Sequence, residues 1–160
     1  MTRCETSAGA EATAEFAQRL FRELQQAILR HEPGAIAGEV EAIHDMRVGI
    51  RRLRVALSNF AACLPKEGRR RVRANLEHLA DALGGTRDLD VMIGVLKSEQ
   101  ADKTEAERAV TSAFISRLRA RRRRRHRKLI GYLQSEEFAN FKNEFRADDV
   151  DGTRTSEGAH

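Results

Sequence analysis

Four side chains able to hold an anion stand in file in the stretch HDMRVGIRRLR, residues 44–54. His44, Arg47, Arg51 and Arg54 are spaced by three, four and three residues. On a helix of about 3.6 residues per turn, that spacing sets them on one arc. Ile43, Met46, Ile50, Leu53, Leu57 and Phe60 make an apolar arc directly beside it. The chemistry open to such a column is recognition of phosphate. Guanidinium groups present forked donors that match phosphate oxygens two at a time. Rungs about 5 Å apart along the axis could follow a chain of phosphates. Asp45 is the one acid of the stretch, and it points away from the column. The plainer alternative is a solvated basic stripe with no particular ligand, which is what most charge runs are.

More cationic candidates follow. Arg69 and Arg73 flank the next apolar stripe, and the segment TRDLDV (residues 86–91) supplies Arg87, Asp88 and Asp90. Arg121, Arg122 and Arg125 share the face that carries Leu118 before them and Leu129 after them. Either that helix projects past the bundle there, or these arginines line an interior cavity holding anion and water. Unpaired buried guanidinium would be costly, so the second reading requires a bound anion or solvent.

Catalytic chemistry finds little support. There is no Gly-rich loop ending in Lys-Ser/Thr. The five histidines, His31, His44, His78, His126 and His160, have no metal-ligand spacing with each other or with Cys4 and Cys63. His44 as a general acid or base would lack both a nucleophile and a carboxylate pair. Clustered acids that could hold metal ions for phosphoanhydride chemistry are missing. No enzyme activity, metal or cofactor is expected.

Helices must position these residues. With 41% hydrophobic and 33% charged residues, two prolines, no tryptophan and one tyrosine, the 160-residue chain reads as one all-α domain. The expected architecture is an antiparallel bundle of about five helices. The first runs from about Ala14 to Arg30, with Phe16, Leu20, Leu24 and Ala27/Ile28 buried. The second runs from about Ala35 to Leu64, between Glu32-Pro33-Gly34 and Pro65. The third starts near Gly68, buries Val72, Leu76, Leu79, Ala80 and Leu83, and stops at Gly84-Gly85. Thr86 or Asp88 then caps a fourth, which carries Leu89, Ile93 and Leu96 and has Asp90 in its first turn. The fifth spans about Lys103 to Leu133 with the stripe Val110, Phe114, Leu118, Leu129 and Tyr132/Leu133. Ser135 caps a short last helix with Phe138, Phe141 and Phe145. Residues 1–12 and the acidic tail 147–160 read as unstructured, leaving 13–146 as the domain.

Charge is unevenly placed. The net charge is +5 with a pI near 9.8, which suits an acidic partner. Residues 44–73 hold nine Lys/Arg against two acids, and residues 117–128 hold nine against none. The first 43 residues carry seven acids against four arginines, so the positive charge is central. Two cysteines far apart in the chain fit a reducing compartment. No signal peptide and no apolar run of about 18 residues is present, so the protein is expected in the cytoplasm and not in a membrane.

Two motifs together, His44-x-x-Arg47-Val48-x-x-Arg51-Arg52-Leu53-Arg54 and Leu83-Gly84-x-x-Arg87-Asp88-x-Asp90-Val91, resemble the CHAD family, the conserved histidine α-helical domain. The resemblance covers about Phe16 to Leu133. It implies two pseudo-symmetric helical bundles around a basic pore, binding of inorganic polyphosphate, and association with polyphosphate granules. It also implies a CYTH-type triphosphatase as a companion, which would here be a separate chain. His44, Arg47, Arg51 and Arg54 match the family's basic pore helix. Arg52 belongs to the motif but points off the column. Arg87 matches the arginine of the RDxDV turn, and Asp88 and Asp90 its acids, assigned to capping and to orienting arginines. Arg52, Arg73, Arg121, Arg122 and Arg125 join the expected polyphosphate-binding set. The chain resembles the N-terminal half alone. A homodimer completing the missing half, an open basic groove on one copy, and a truncated remnant all fit that length. The rival function is nucleic-acid binding through the same basic surface, against which stand one tyrosine, no tryptophan and no helix-turn-helix signature.

Overall fold

Alanine has the highest intrinsic helix propensity, and the alanine-rich N-terminal sequence starts a helix well before the first apolar stripe needs one. In the computed structural model, which describes residues 5–145, α1 spans Glu5–Leu29, nine residues ahead of the expected start. Its buried stripe is Ala17, Phe21, Gln25 and Ile28. Phe16 is instead 45% exposed, and Leu20 and Leu24 are only partly covered. The stripe turns by one residue because Phe60 lies between Phe16 and Phe21, with ring centroids 5.7 and 6.5 Å away.

The expected second helix is two. α2 is Glu32–Ala37, with Pro33 in its first turn, where proline's missing N–H costs nothing. Gly38 ends it at φ +84, a left-handed conformation that side chains with a Cβ resist. α3 then runs Val40–Asn59, followed by a 3-10 turn at Ala61–Cys63 ahead of Pro65. Of the expected stripe, Ile43, Met46, Ile50, Leu53 and Leu57 are buried, while Phe60, just past the end of α3, is only partly covered. Gly49 lets α3 press on α1, since a Cβ there would lie 2.7 Å from Ile28 Cγ1.

The expected stop at Gly84-Gly85 is overturned. α4 is one helix, Lys66–Ser98, and passes straight through the pair. Neither Thr86 nor Asp88 is an N-cap, because both lie inside α4. Each glycine costs a helix interior roughly 1 kcal/mol against alanine, which packing elsewhere in α4 outweighs. α5, Glu105–Leu133, starts at a capping box in which Glu107 N–H donates to Thr104 Oγ1 and Thr104 N–H to Glu107 Oε2. Its buried positions are Thr111, Ile115, Leu118, Leu129 and Leu133. Val110 and Phe114, expected inside, are exposed at 72% and 46%. Ser135 caps α6, Glu136–Asn143, as its sequence implies, and Phe138 and Phe141 are buried.

Among the described residues the fold is all-helical, with six α-helices and no strand. α1 packs on α3, α3 on α4 and α4 on α5, while α6 closes one end against α4 and α5. The main core joins α1, α3, α4, α5 and α6 around Phe21, Leu53, Leu76, Leu129 and Phe138. Burying each such side chain contributes about 1.5–3 kcal/mol. A second, smaller core of Leu89, Ile93, Ile115 and Leu118 belongs to α4 and α5 alone. The arginine-rich part of α5 lies between the two cores. Tyr132, the single tyrosine, donates its hydroxyl to the Asn75 carbonyl at 3.3 Å. Burial, with the Glu137 carboxylate second, pushes its phenol up to about 12. The folded chain then keeps a proton that the unfolded chain loses near pH ~10. The stability this group adds is complete below that pH and is lost as pH rises toward 12. Ultraviolet titration should show the folded midpoint well above that in urea; coincident midpoints would place the ring in water.

Candidate functional site

Burying the apolar arc of α3 against α1 and α4 turns the neighbouring arc toward α4. There His44, Arg47, Arg51 and Arg54 meet Arg87 and Asp88 around a cavity of about 510 Å³. Val48, Ile50, Ala80 and Val91 complete the wall, so the lining comes from α3 and α4 alone. The helices run antiparallel, which brings the His44 end opposite Arg87 and Val91, and the Arg54 end opposite Ala80. Arg54 Nη2 donates to the Leu76 carbonyl at 3.2 Å, pinning that end to α4. Among the described residues, Arg47, Arg51 and Arg87 have no hydrogen-bond or ion-pair partner, so their donors are available to a ligand. Five cationic or cationisable groups face one carboxylate, Asp88. Such a wall attracts phosphate oxygens and offers forked donors to them.

The arginines of α5 divide by face. Arg122 ion-pairs with Asp90 through Nε, and its Nη2 lies 3.2 Å from Asp90 Oδ2 and 2.8 Å from the Gly38 carbonyl. Asp90 and Arg122 side chains are 5% and 19% exposed, so the pair is built into the α4–α5 contact. One turn on, His126 Nε2 donates to the Ala35 carbonyl at 2.8 Å. Arg122 and His126 thus hold the α2–α3 turn, and a Cβ on Gly38 would lie 3.0 Å from His126 Cε1. Arg121 and Arg125 face another way and, with Arg124 and Lys128, line a second basic cavity of about 240 Å³. Neither expectation for this run describes it fully, because one face is structural and one faces a groove. Arg52 and Arg73 are exposed and line neither cavity. Asp90 pairs with Arg122, whereas Asp88 lines the first cavity.

Sequence reasoning passed over Arg124, Lys128 and His126. A signal for the first two was present, since 121, 124, 125 and 128 follow the one-face helical spacing. It also misread the glycine pair. A Cβ on Gly84 would lie 2.9 Å from Arg47 Nη1, and one on Gly85 3.1 Å from Arg125 Cδ.

No group of three or more His, Cys, Asp or Glu that could hold a metal ion occurs among the described residues. None of their helices is long and apolar enough to cross a membrane. Cys63 is a half-buried free thiol, and Cys4 and the tail from residue 146 lie outside the described residues. The fold and the cavity together define an all-α protein with a cationic site between two long helices. Residues 19–149 match the CHAD domain, and the chain belongs to that family. No curated protein matches it.

Proposed function

We propose that this chain binds inorganic polyphosphate, without catalysis, in the cavity between α3 and α4. The observation that carries this is the convergence of His44, Arg47, Arg51 and Arg54 with Arg87 on one concavity. Membership of the CHAD family supports it. The mechanism is electrostatic: arginine side chains replace the counterions of a linear polyanion, so affinity falls steeply with salt. Arg121 and Arg125 would extend contact into the second cavity. Arg122, engaged with Asp90, would act on the ligand only through the fold.

The deciding experiment is competition at equal charge concentration. Duplex DNA or RNA should fail to displace long-chain polyphosphate from the protein. Displacement would favour the nucleic-acid reading of the same surface. Incubation of polyphosphate with the protein and magnesium should release no phosphate, and release would make it an enzyme. Because α3 and α4 alone line the cavity, a second copy could supply an opposing wall. Light scattering should then show a dimer that long-chain polyphosphate favours. A CYTH-type triphosphatase on a separate chain and residence at polyphosphate granules in the cytoplasm complete the proposal.

His44 lines the same cavity, at the end opposite Arg87 and Val91. His44→Ala should weaken polyphosphate binding a few-fold, the size of one lost hydrogen bond. An affinity equal to the wild type would remove His44 from the contact.

A further inference from the structure

Inside the 33-residue helix α4, two adjacent glycines give up helix propensity where Arg47 and Arg125 lie against the helix. An added Cβ on Gly84 would lie 2.9 Å from Arg47 Nη1. One on Gly85 would lie 3.1 Å from Arg125 Cδ and 3.4 Å from its Nε. Gly94, in the same helix, has nothing within 4 Å of such an atom. Adjacent helical residues point about 100° apart, so Arg47 comes from the α3 side and Arg125 from the α5 side. We infer that Gly84 and Gly85 are positioning residues of the anion site: bare backbone lets the Arg47 guanidinium and the Arg125 stem lie on α4 and sets both basic cavities at the same turn of that helix. For its ligand the inference rests on the polyphosphate reading; its geometry stands apart from it.

The atom against Gly84 is the far end of a long flexible chain. A methyl group there displaces the guanidinium and leaves the backbone where it is. The fold survives while the donors move, and a forked contact weakens steeply when its angles are lost. At Gly85 the neighbour is the stem of Arg125, which has to give by a few tenths of an ångström. Alanine, the better helix former, should meanwhile stabilise α4 at any of the three glycines.

The test measures long-chain polyphosphate affinity by calorimetry, and the thermal midpoint, on the full chain. Gly94→Ala should raise the midpoint by about 3 °C and leave affinity unchanged. Gly84→Ala should hold the midpoint at or above the wild type while weakening affinity about tenfold, the size of one misaligned charge-assisted hydrogen bond. That loss should vanish in an Arg47→Ala background, and the loss from Gly85→Ala in an Arg125→Ala background. No loss, a loss that persists without the arginine, or an equal loss in Gly94→Ala would overturn the role. If Gly84→Ala does not fold, the Gly85–Arg125 cycle decides. If the wild type binds no polyphosphate, the functional reading fails, and arginine Nε–Hε resonances decide this one. Arg47 must then shift in Gly84→Ala and stay in place in Gly94→Ala.

Discussion

Arg47→Ala combined with Arg51→Ala should weaken polyphosphate binding about a hundredfold. Each guanidinium lines the α3–α4 cavity and has no partner among the described residues, so its donors are free for phosphate. A hydrogen bond to a charged group contributes about 1.5–3 kcal/mol, and each ~1.4 kcal/mol is tenfold in affinity. Two lost together give at least two orders of magnitude. The salt dependence should change as well. If polyphosphate behaves as a single-stranded polyanion, the slope of log affinity against log salt becomes shallower by roughly 0.7 per contact removed. The matched control is Arg119→Ala with Arg123→Ala, since both are exposed on α5 and line neither cavity. Arg124 is unsuitable for that control because it lines the second groove. The control pair should cost no more than about threefold through screened, long-range charge. Calorimetry at two salt concentrations measures all of this, and equal losses in the two double variants would reduce the site to nonspecific charge.

Asp90→Ala should destabilise the fold by about 3 kcal/mol, because it leaves Arg122 buried without its counter-ion. The Asp90 side chain is 5% exposed and that of Arg122 19%, so water can do little to repair the loss. At about 2–4 °C per kcal/mol for a chain of this size, the thermal midpoint should fall by roughly 6–12 °C. Arg122 also holds the Gly38 carbonyl, so α2 should loosen with the α4–α5 contact. Hydrogen exchange at the α2 amides provides the local reading. A midpoint within about 1 °C of the wild type would mean that Arg122 reaches solvent, and it would return Arg122 to the list of ligand contacts.

What the sequence determined by itself is the column on α3. Its three-four-three spacing sits beside an apolar arc of the same period, and local helix geometry fixes both together. Burial of Ile43, Met46, Ile50, Leu53 and Leu57 therefore decides where His44, Arg47, Arg51 and Arg54 point. The start signal of α6 was equally local, since Ser135 acts on an amide three residues on; the Thr104 cap of α5 is just as local but was passed over. What only the tertiary structure decided is everything set by a neighbour from another part of the chain. Gly84-Gly85 reads as a helix stop until Arg47 and Arg125 are seen against it. Five consecutive arginines look alike in sequence, yet Asp90 and Gly38 take Arg122, while Arg121, Arg124 and Arg125 face a groove. The α1 stripe is turned by Phe60, 39 residues beyond Phe21. The physical reason is range. Periodicity and capping act within a few residues along the chain, whereas close approach, ion pairing and burial depend on which surfaces the fold presses together.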